Sequence, residues 1–380
     1  MTWRIPLADI DVGEEEISAV TGVLKSRWLT MGAVTQEFEE AFKEYSGAKY
    51  ALAVTNATTA LHMACVAVGL KPGDEVILPS LTFVATANAI CYTGATPIFA
   101  EISSESNLNI SPKAIESKIT PKTRAIMVMH YGGYACDMPE IMRIADVHGL
   151  TVIEDAAHAS GSFLDSKMLG TWGRVGCYSF FSNKNMTTGE GGMAVTNDEE
   201  VFKKLSLIRS HGMTSLTWDR HRGHAWSYDV VDLGYNYRID EMRAAVGLVQ
   251  LHKLDSFNEK RRKITKRYID LLHESCPEII IPFEHHPGIS ACHLFVILLP
   301  EGCDRFDFME RMKAAGIQTS IHYPLIHRFS YYQNDPFVAC QNLPFTEKIA
   351  EREVTLPLYP GLTENDVTYI VQSIAEALHH

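Results

Sequence analysis

The chain has 380 residues, 46% of them hydrophobic, and a formal net charge of −12. Such a length can bury a large core and exceeds what one core usually fills, so two domains are expected, residues 1–250 and 251–380. The acidic balance excludes a general binder of nucleic acid or of anionic membrane surfaces, which would be repelled over most of the molecule.

From about Tyr50 to Val195, short apolar strands alternate with amphipathic helices, the pattern of an α/β sheet covered on both faces. The predicted strands are Tyr50–Val54, Glu75–Leu78, Thr96–Phe99, Ala125–Met129, Thr151–Glu154, Cys177–Phe181 and Met193–Thr196. Between the first two, Leu61, Ala64, Cys65 and Val68 recur at helical spacing and Lys71-Pro72-Gly73-Asp74 ends that helix. Beyond about Gln250 the texture changes. Glu259-Lys260-Arg261-Arg262-Lys263 opens a long charged helix whose basic run reads as a solvated face, followed by a strand at Leu294–Leu299 and a helix near Phe306–Ala315. This second region is read as a smaller α+β domain.

The eight cysteines are spread along the chain without a Cys-x-x-Cys pair, so neither a zinc module nor a disulfide scaffold is expected. The pairs His221-x-x-His224 and His285-His286 lie in polar segments and read as surface residues, so no metal site is expected. Met1–Pro6 lacks an apolar signal core and no apolar run approaches a bilayer span. The expectation is a cytoplasmic protein with no membrane or nucleic-acid partner.

In an open α/β sheet, ligands gather at the carboxyl ends of the strands, and three segments fall there. Asn56-Ala57-Thr58-Thr59-Ala60 offers backbone amides and hydroxyls at a helix N-terminus, a cup for a phosphate; taken alone it reads better as a plain helix cap. Glu154-Asp155-Ala156-Ala157-His158 places a carboxylate at a strand end and an imidazole one turn later, which alone could be a capping Asp and a core His. The third is Tyr178-Ser179-Phe180-Phe181-Ser182-Asn183-Lys184, followed by Thr187-Thr188-Gly189-Glu190-Gly191-Gly192. A lysine that forms a Schiff base needs a fixed, partly desolvated position, and a pyridine ring needs a carboxylate to keep its nitrogen protonated. Lys184, Asp155 and a phosphate cup together point to pyridoxal 5′-phosphate (PLP). Gly-x-Gly-x-x-Gly after the first strand and a P-loop motif are both absent from the sequence, which removes the dinucleotide and P-loop readings.

With these segments assembled, the chain resembles the DegT family of PLP-dependent sugar aminotransferases, within the fold-type I, aspartate-aminotransferase-like superfamily. The resemblance runs through Trp28-Leu29-Thr30-Met31-Gly32, Pro72-Gly73-Asp74-Glu75-Val76, Ile153–His158, the Lys184 segment, Leu233-Gly234-Tyr235-Asn236-Tyr237-Arg238, His322-Tyr323-Pro324-Leu325 with His327, and Leu356-Pro357-Leu358-Tyr359-Pro360-Gly361-Leu362. It implies a large domain with a mostly parallel mixed sheet between helices, and a smaller C-terminal α+β domain. It further implies that Lys184 forms the Schiff base and shuttles a proton, that Asp155 holds the ring nitrogen, and that His158 lies beside the phenolic oxygen. Phe83 matches a ring-stacking aromatic, and Ala57, Thr58 and Ser179 match the phosphate cup. Asn236 matches a residue that reaches the phosphate of the neighbouring subunit, so a homodimer with a shared site is implied. His322, Tyr323 and His327 match a segment on the sugar side.

The implied activity is a two-stage transfer from glutamate or glutamine to a keto-sugar, most often a nucleotide-linked 4-keto or 3-keto deoxysugar. Two departures stand out: Asn56-Ala57 where Asn-Gly is common, and Phe181-Ser182-Asn183 where many relatives have His-Pro-Thr. Sugar dehydratases of this family carry histidine at the lysine position, and Lys184 argues against that branch. A PLP-holding sensor without turnover and a PLP-dependent eliminase would use the same Lys184 and Asp155. The retained His322-Tyr323-Pro324 segment and Arg238 favour the transferase.

Overall fold

The computed structural model describes residues 3–215, 223, 227–334, 338 and 341–378. In chain order the first strands are β1 (Tyr50–Val54), β2 (Glu75–Pro79), β3 (Thr96–Ala100), β4 (Ile102–Ser104), β5 (Asn107–Ile110), β6 (Thr123–Met129), β7 (Thr151–Asp155), β8 (Phe163–Leu164), β9 (Lys167–Met168), β10 (Val175–Ser179) and β11 (Gly192–Thr196). β4–β5 and β8–β9 are small two-stranded pairs. The other seven form one sheet in the order β1-β11-β10-β7-β6-β2-β3, in which β11 alone runs against its neighbours.

The apolar runs of these strands explain the layering, since a parallel strand buried on both faces needs helices above and below. Helices α2 (Ala33–Ser46), α3 (Ala57–Ala67), α4 (Ala85–Cys91), α5 (Pro112–Ser117), α6 (Met138–His148), α7 (Glu199–Arg209) and α8 (Glu241–Ser275) supply that cover, and α1 (Glu14–Ser26) packs on α8. Leu61 of α3, Ile90 of α4 and Leu205 of α7 join one core against the sheet. Phe38 of α2, Ile141 of α6 and Leu251 of α8 join the core on the other face. Every predicted strand is present, with two shifts that have physical reasons. β10 stops at Ser179, because Phe180 turns into the core while Phe181 is 44% exposed and its N–H bonds Ser179 Oγ. The charged helix begins at Glu241, well before Glu259, and Asp240 caps it through the Arg243 amide.

α8 is 35 residues long. Its Glu241 carboxylate accepts the Gly32, Val34 and Thr35 amides and so closes the start of α2. Near the middle of α8 the basic run is not uniformly solvated: Arg261 is buried and donates to the Leu358 carbonyl at 2.8 Å. Burial lowers its guanidinium to about 10. Beyond α8, β12 (Phe295–Leu298) pairs antiparallel with β13 (Glu353–Leu356), packed by α9 (Arg305–Ala314) and the closing helix Glu364–Leu378. Ile5, near the N-terminus, bridges Ile317 and lies in this same cluster. Among the described residues no helix is long and apolar enough to cross a membrane. Nor do three or more His, Cys, Asp or Glu side chains gather as metal ligands among them. The expected His221–His224 pair lies outside the described residues.

Candidate active site

The carboxyl ends of β1, β2, β6, β7 and β10 open onto one cavity of about 450 Å³. It is lined by Asn56, Ala57, Thr58, Phe83, Asp155, His158, Ser179, Lys184, His322 and Tyr323, with Leu61, Met129, Asn183 and Glu190 among the further residues. Nine of the eleven residues singled out from sequence therefore share a single chamber.

Each wall has a local cause. β1 ends one turn before α3, and the Asn56 side chain caps that helix by accepting the Thr59 amide at 2.9 Å. The Ala57 and Thr58 amides, earlier in the first turn, keep no acceptor within the helix, so a partial positive charge faces the cavity. Gly192 of β11 lets the sheet press against this corner: a Cβ there would stand 2.6 Å from the Asn56 carbonyl carbon and 2.8 Å from the Ala57 nitrogen. Ser179, at the end of β10, is buried beside the same corner.

Asp155 closes β7 at the cavity floor, 4% exposed. Its Oδ2 accepts the Thr86 hydroxyl at 2.7 Å and its Oδ1 accepts the Ala157 amide at 3.1 Å. Burial pushes the carboxyl above its ordinary range, while those two donors and the nearby Lys184 pull against it. Lys184 itself is lowered to about 8 by desolvation, with Asp155 opposing. A neutral amine is therefore accessible near physiological pH, as a nucleophilic lysine needs.

Lys184 Nζ lies 3.4 Å from His293 Nε2. The side chain of Asn185 orients that ring. Its amide nitrogen donates to Asn258 Oδ1 at 2.7 Å and to the Ala291 carbonyl at 2.8 Å, so its oxygen accepts from His293 Nδ1 at 2.8 Å. The lone pair of His293 is thereby left on Nε2, facing the lysine. Sequence reasoning missed His293, which stands just before the Leu294–Leu299 run and is far from Lys184 along the chain.

His158 accepts the Gly132 amide on Nδ1 at 3.2 Å, which places its proton on Nε2, 2.9 Å from the Tyr323 hydroxyl. Burial, Lys184 and His322 hold His158 well below the usual imidazole value, so it stays neutral. The Tyr323 oxygen then accepts from His158 and keeps its own proton for the cavity. Phe83 is 55% exposed at the mouth, its ring 5.8 Å from that of Tyr323.

Two expected residues lie elsewhere. His327 is fully buried behind the wall, where Nδ1 meets Ser80 Oγ at 2.7 Å and Nε2 meets Glu347 at 2.9 Å. Both ring nitrogens are used, so it does not line the sugar side of the cavity. Asn236 is exposed, bridges Ser210 and is absent from the cavity wall of its own chain.

An anion cup, a lysine depressed toward neutrality and a buried carboxylate on the facing floor are the donor set that a phosphorylated pyridine aldehyde requires, so these residues fit PLP. The sequence profile of the DegT/DnrJ/EryC1/StrS aminotransferase family matches residues 10–375.

The chain belongs to that family.

It is 40% identical to the spore coat polysaccharide biosynthesis protein SpsC of Bacillus subtilis, over 99% of this chain and 96% of that one. Among solved structures it resembles PseC of Helicobacter pylori, an aminotransferase in pseudoaminic acid biosynthesis. The TM-score is 0.91 and the identity 30%, covering 98% of this chain and 99% of that one. It also resembles Spr1654 of Streptococcus pneumoniae in its PLP form, with a TM-score of 0.90 and 27% identity over 98% of each chain. This DegT-family chain is a PLP-dependent sugar aminotransferase with the fold-type I architecture, and it takes an amino donor and a sugar substrate.

Proposed function

We propose that this enzyme transfers an amino group from glutamate, or alternatively glutamine, to a nucleotide-linked 4-keto or 3-keto deoxysugar used in building a surface polysaccharide. The carrying observation is the shared chamber of Lys184, Asp155 and the α3 cup, with the His322–Tyr323 wall beside them. The polysaccharide relative from Bacillus subtilis supports the kind of pathway. The nucleotide link rests on the family resemblance.

When bound, the cofactor supplies a carbonyl that captures the amine and a ring that withdraws electrons from the substrate carbon. The chain supplies the rest. The Ala57 and Thr58 amides, with Ser179, would hold the phosphate, and Phe83 at the mouth would cover the ring. Asp155 keeps the ring nitrogen protonated, and a cationic ring beside it stabilises the carboxylate against the burial that now raises it. Lys184, neutral near physiological pH and within the same chamber, would be the base that moves a proton at the substrate carbon in both stages. His293 accepts from Lys184 and so aims its lone pair. His158 fixes the Tyr323 hydroxyl, which would then offer its proton to the cofactor or the substrate.

Asn236, exposed in one chain, is assigned to the phosphate of a second copy, which makes the working unit a homodimer. The division near residue 250 falls inside α8, whose first part packs on α1 and α2 and whose later part packs on the closing helix. The reading is tested with α-15N-labelled glutamate or glutamine and a set of nucleotide-linked and free 4-keto and 3-keto deoxysugars, following 15N into the sugar. Label in a nucleotide amino-sugar supports the proposal. Label only in free amino-sugars overturns the nucleotide link, and label from neither donor overturns the donor assignment.

A further inference from the structure

β13 carries Glu353 and Thr355 two residues apart, so both side chains leave the same strand face while Val354 and Leu356 face the apolar core. That polar face is 1% exposed at both positions. A buried carboxylate with no fixed positive partner is costly, and the structure shows what it is tied to. Glu353 Oε2 accepts the His322 backbone amide at 3.0 Å, and Oε1 lies 2.6 Å from Thr355 Oγ1. Thr355 Oγ1 in turn lies 2.9 Å from His322 Nδ1. The His322 carbonyl is taken by the Tyr131 hydroxyl. His322 Nε2 has no hydrogen-bond partner among the described residues, and the ring lines the cavity shared with Lys184.

A threonine hydroxyl has one proton, so along the line Glu353–Thr355–His322 the donors run in one of two directions. With Glu353 ionised, Thr355 donates to the carboxylate, His322 Nδ1–H donates to Thr355, and Nε2 faces the cavity as an acceptor. With Glu353 protonated, its proton goes to Thr355, Thr355 donates to Nδ1, and Nε2–H faces the cavity as a donor. Both leave the imidazole neutral; one proton on the carboxyl decides the sign of the group shown to the substrate.

We propose that Glu353 and Thr355 are positioning residues that set the tautomer of His322, presenting Nε2–H as a hydrogen-bond donor to an oxygen of the sugar substrate. This rests on the cavity being the sugar site. Burial raises the Glu353 carboxyl to about 8, against the hydrogen bonds from Thr355 and the His322 amide, the charge of Arg305 and the neighbouring Tyr131 hydroxyl, so the protonated arrangement prevails at neutral pH. His322 is lowered to about 4 by burial and by Lys184, and remains neutral throughout. The titratable and charged groups facing the relay are Tyr131, which follows β6, Tyr323 beside His322, Arg305 of α9, and Lys184, His158 and His293 across the cavity, the two imidazoles being held neutral by burial. Tyr131 and Tyr323 are raised by burial and stay protonated, so Glu353 is the relay member that changes state between neutral and mildly alkaline pH.

The test separates tautomer from turnover. Nitrogen-15 spectra of histidine-labelled, PLP-loaded enzyme, assigned with His322→Gln, should show His322 with its proton on Nε2 at neutral pH and on Nδ1 above the Glu353 titration. In Glu353→Gln the amide nitrogen donates permanently to Thr355, so the Nε2–H form should persist across the range. Correspondingly, the KM for the sugar should rise roughly two- to tenfold with alkaline pH in the parent and stay flat in Glu353→Gln, a neutral hydrogen bond being the quantity lost. Thr355→Val should raise that KM at all pH values, and Thr355→Ser should restore the parent profile. The glutamate half-reaction, read separately, reports whether each variant is loaded and competent, so a wrong sugar assignment is distinguishable from a wrong relay. A His322 that carries its proton on Nδ1 at neutral pH, or a Glu353→Gln profile that follows the parent, overturns the proposal.

Discussion

Replacing Thr86 by Val removes the hydroxyl that donates to Asp155 Oδ2 at 2.7 Å while nearly preserving shape. A hydrogen bond to a charged group contributes about 1.5–3 kcal/mol. Since one pKa unit corresponds to about 1.4 kcal/mol, the Asp155 carboxyl should rise by about one to two units. The direction follows from the chemistry: the donor stabilises only the ionised form, so losing it adds to the burial that already raises this group. Cofactor affinity requires Asp155 as a carboxylate opposite a protonated ring, so affinity falls as pH drops through the Asp155 titration. Titrating PLP into cofactor-free protein from mildly alkaline to acidic pH should show that fall about one to two units higher in Thr86→Val than in the parent. Thr86→Ser, which keeps the hydroxyl, should follow the parent. Superimposable profiles for Thr86→Val and parent would refute the claim that Thr86 holds the carboxylate.

Lys184→Ala should abolish both half-reactions while leaving the circular dichroism spectrum unchanged; normal transfer in this variant would show that another group carries the chemistry. Asp155→Ala should leave a weakly active enzyme, because an unprotonated ring is a poor electron sink, and unchanged turnover would point to a different carboxylate. Gly192→Ala forces a Cβ to within 2.6 Å of the Asn56 carbonyl carbon, and overpacking of about 1–3 kcal/mol at the cup should weaken PLP binding by roughly 5- to 150-fold; an unchanged dissociation constant would remove the cup from that corner. Burial alone would raise Glu16, but Lys253, the Gly13 amide and Gln250 outweigh it and hold the carboxyl at about 2. Its contribution to stability is therefore complete above the ordinary glutamate range and lost as pH falls toward 2; Glu16→Gln should melt lower at neutral pH and converge with the parent in acid.

Much of the sheet could be read along the chain because its strands are short apolar runs bounded by turn residues, and their carboxyl ends carry the chemistry. Asp155, Lys184 and the Asn56–Thr58 corner were visible for that reason. Contacts made across the fold left weaker marks. The long helix was placed too late because residues 241–258 mix small and apolar side chains without a sharp polar face, although Asp240 is a legible cap. Arg261 sits in a run of five charged residues, yet its turn of the helix faces the Leu358 carbonyl rather than water. His327 shares a motif with His322 and Tyr323, but a 3-10 turn at Ile326–Arg328 rotates it behind Ser80. His293 had no local signal, since its meaning comes from Asn185 and Lys184, both more than a hundred positions away.

The most direct test of the account is the absorption spectrum of the purified protein before and after glutamate. A visible band of lysine-bound cofactor that glutamate converts to the shorter-wavelength amine form is the predicted result, and it joins PLP, Lys184 and the donor stage in one observation. A protein that shows no such band after PLP is added, or a band that neither glutamate nor glutamine alters, would contradict it.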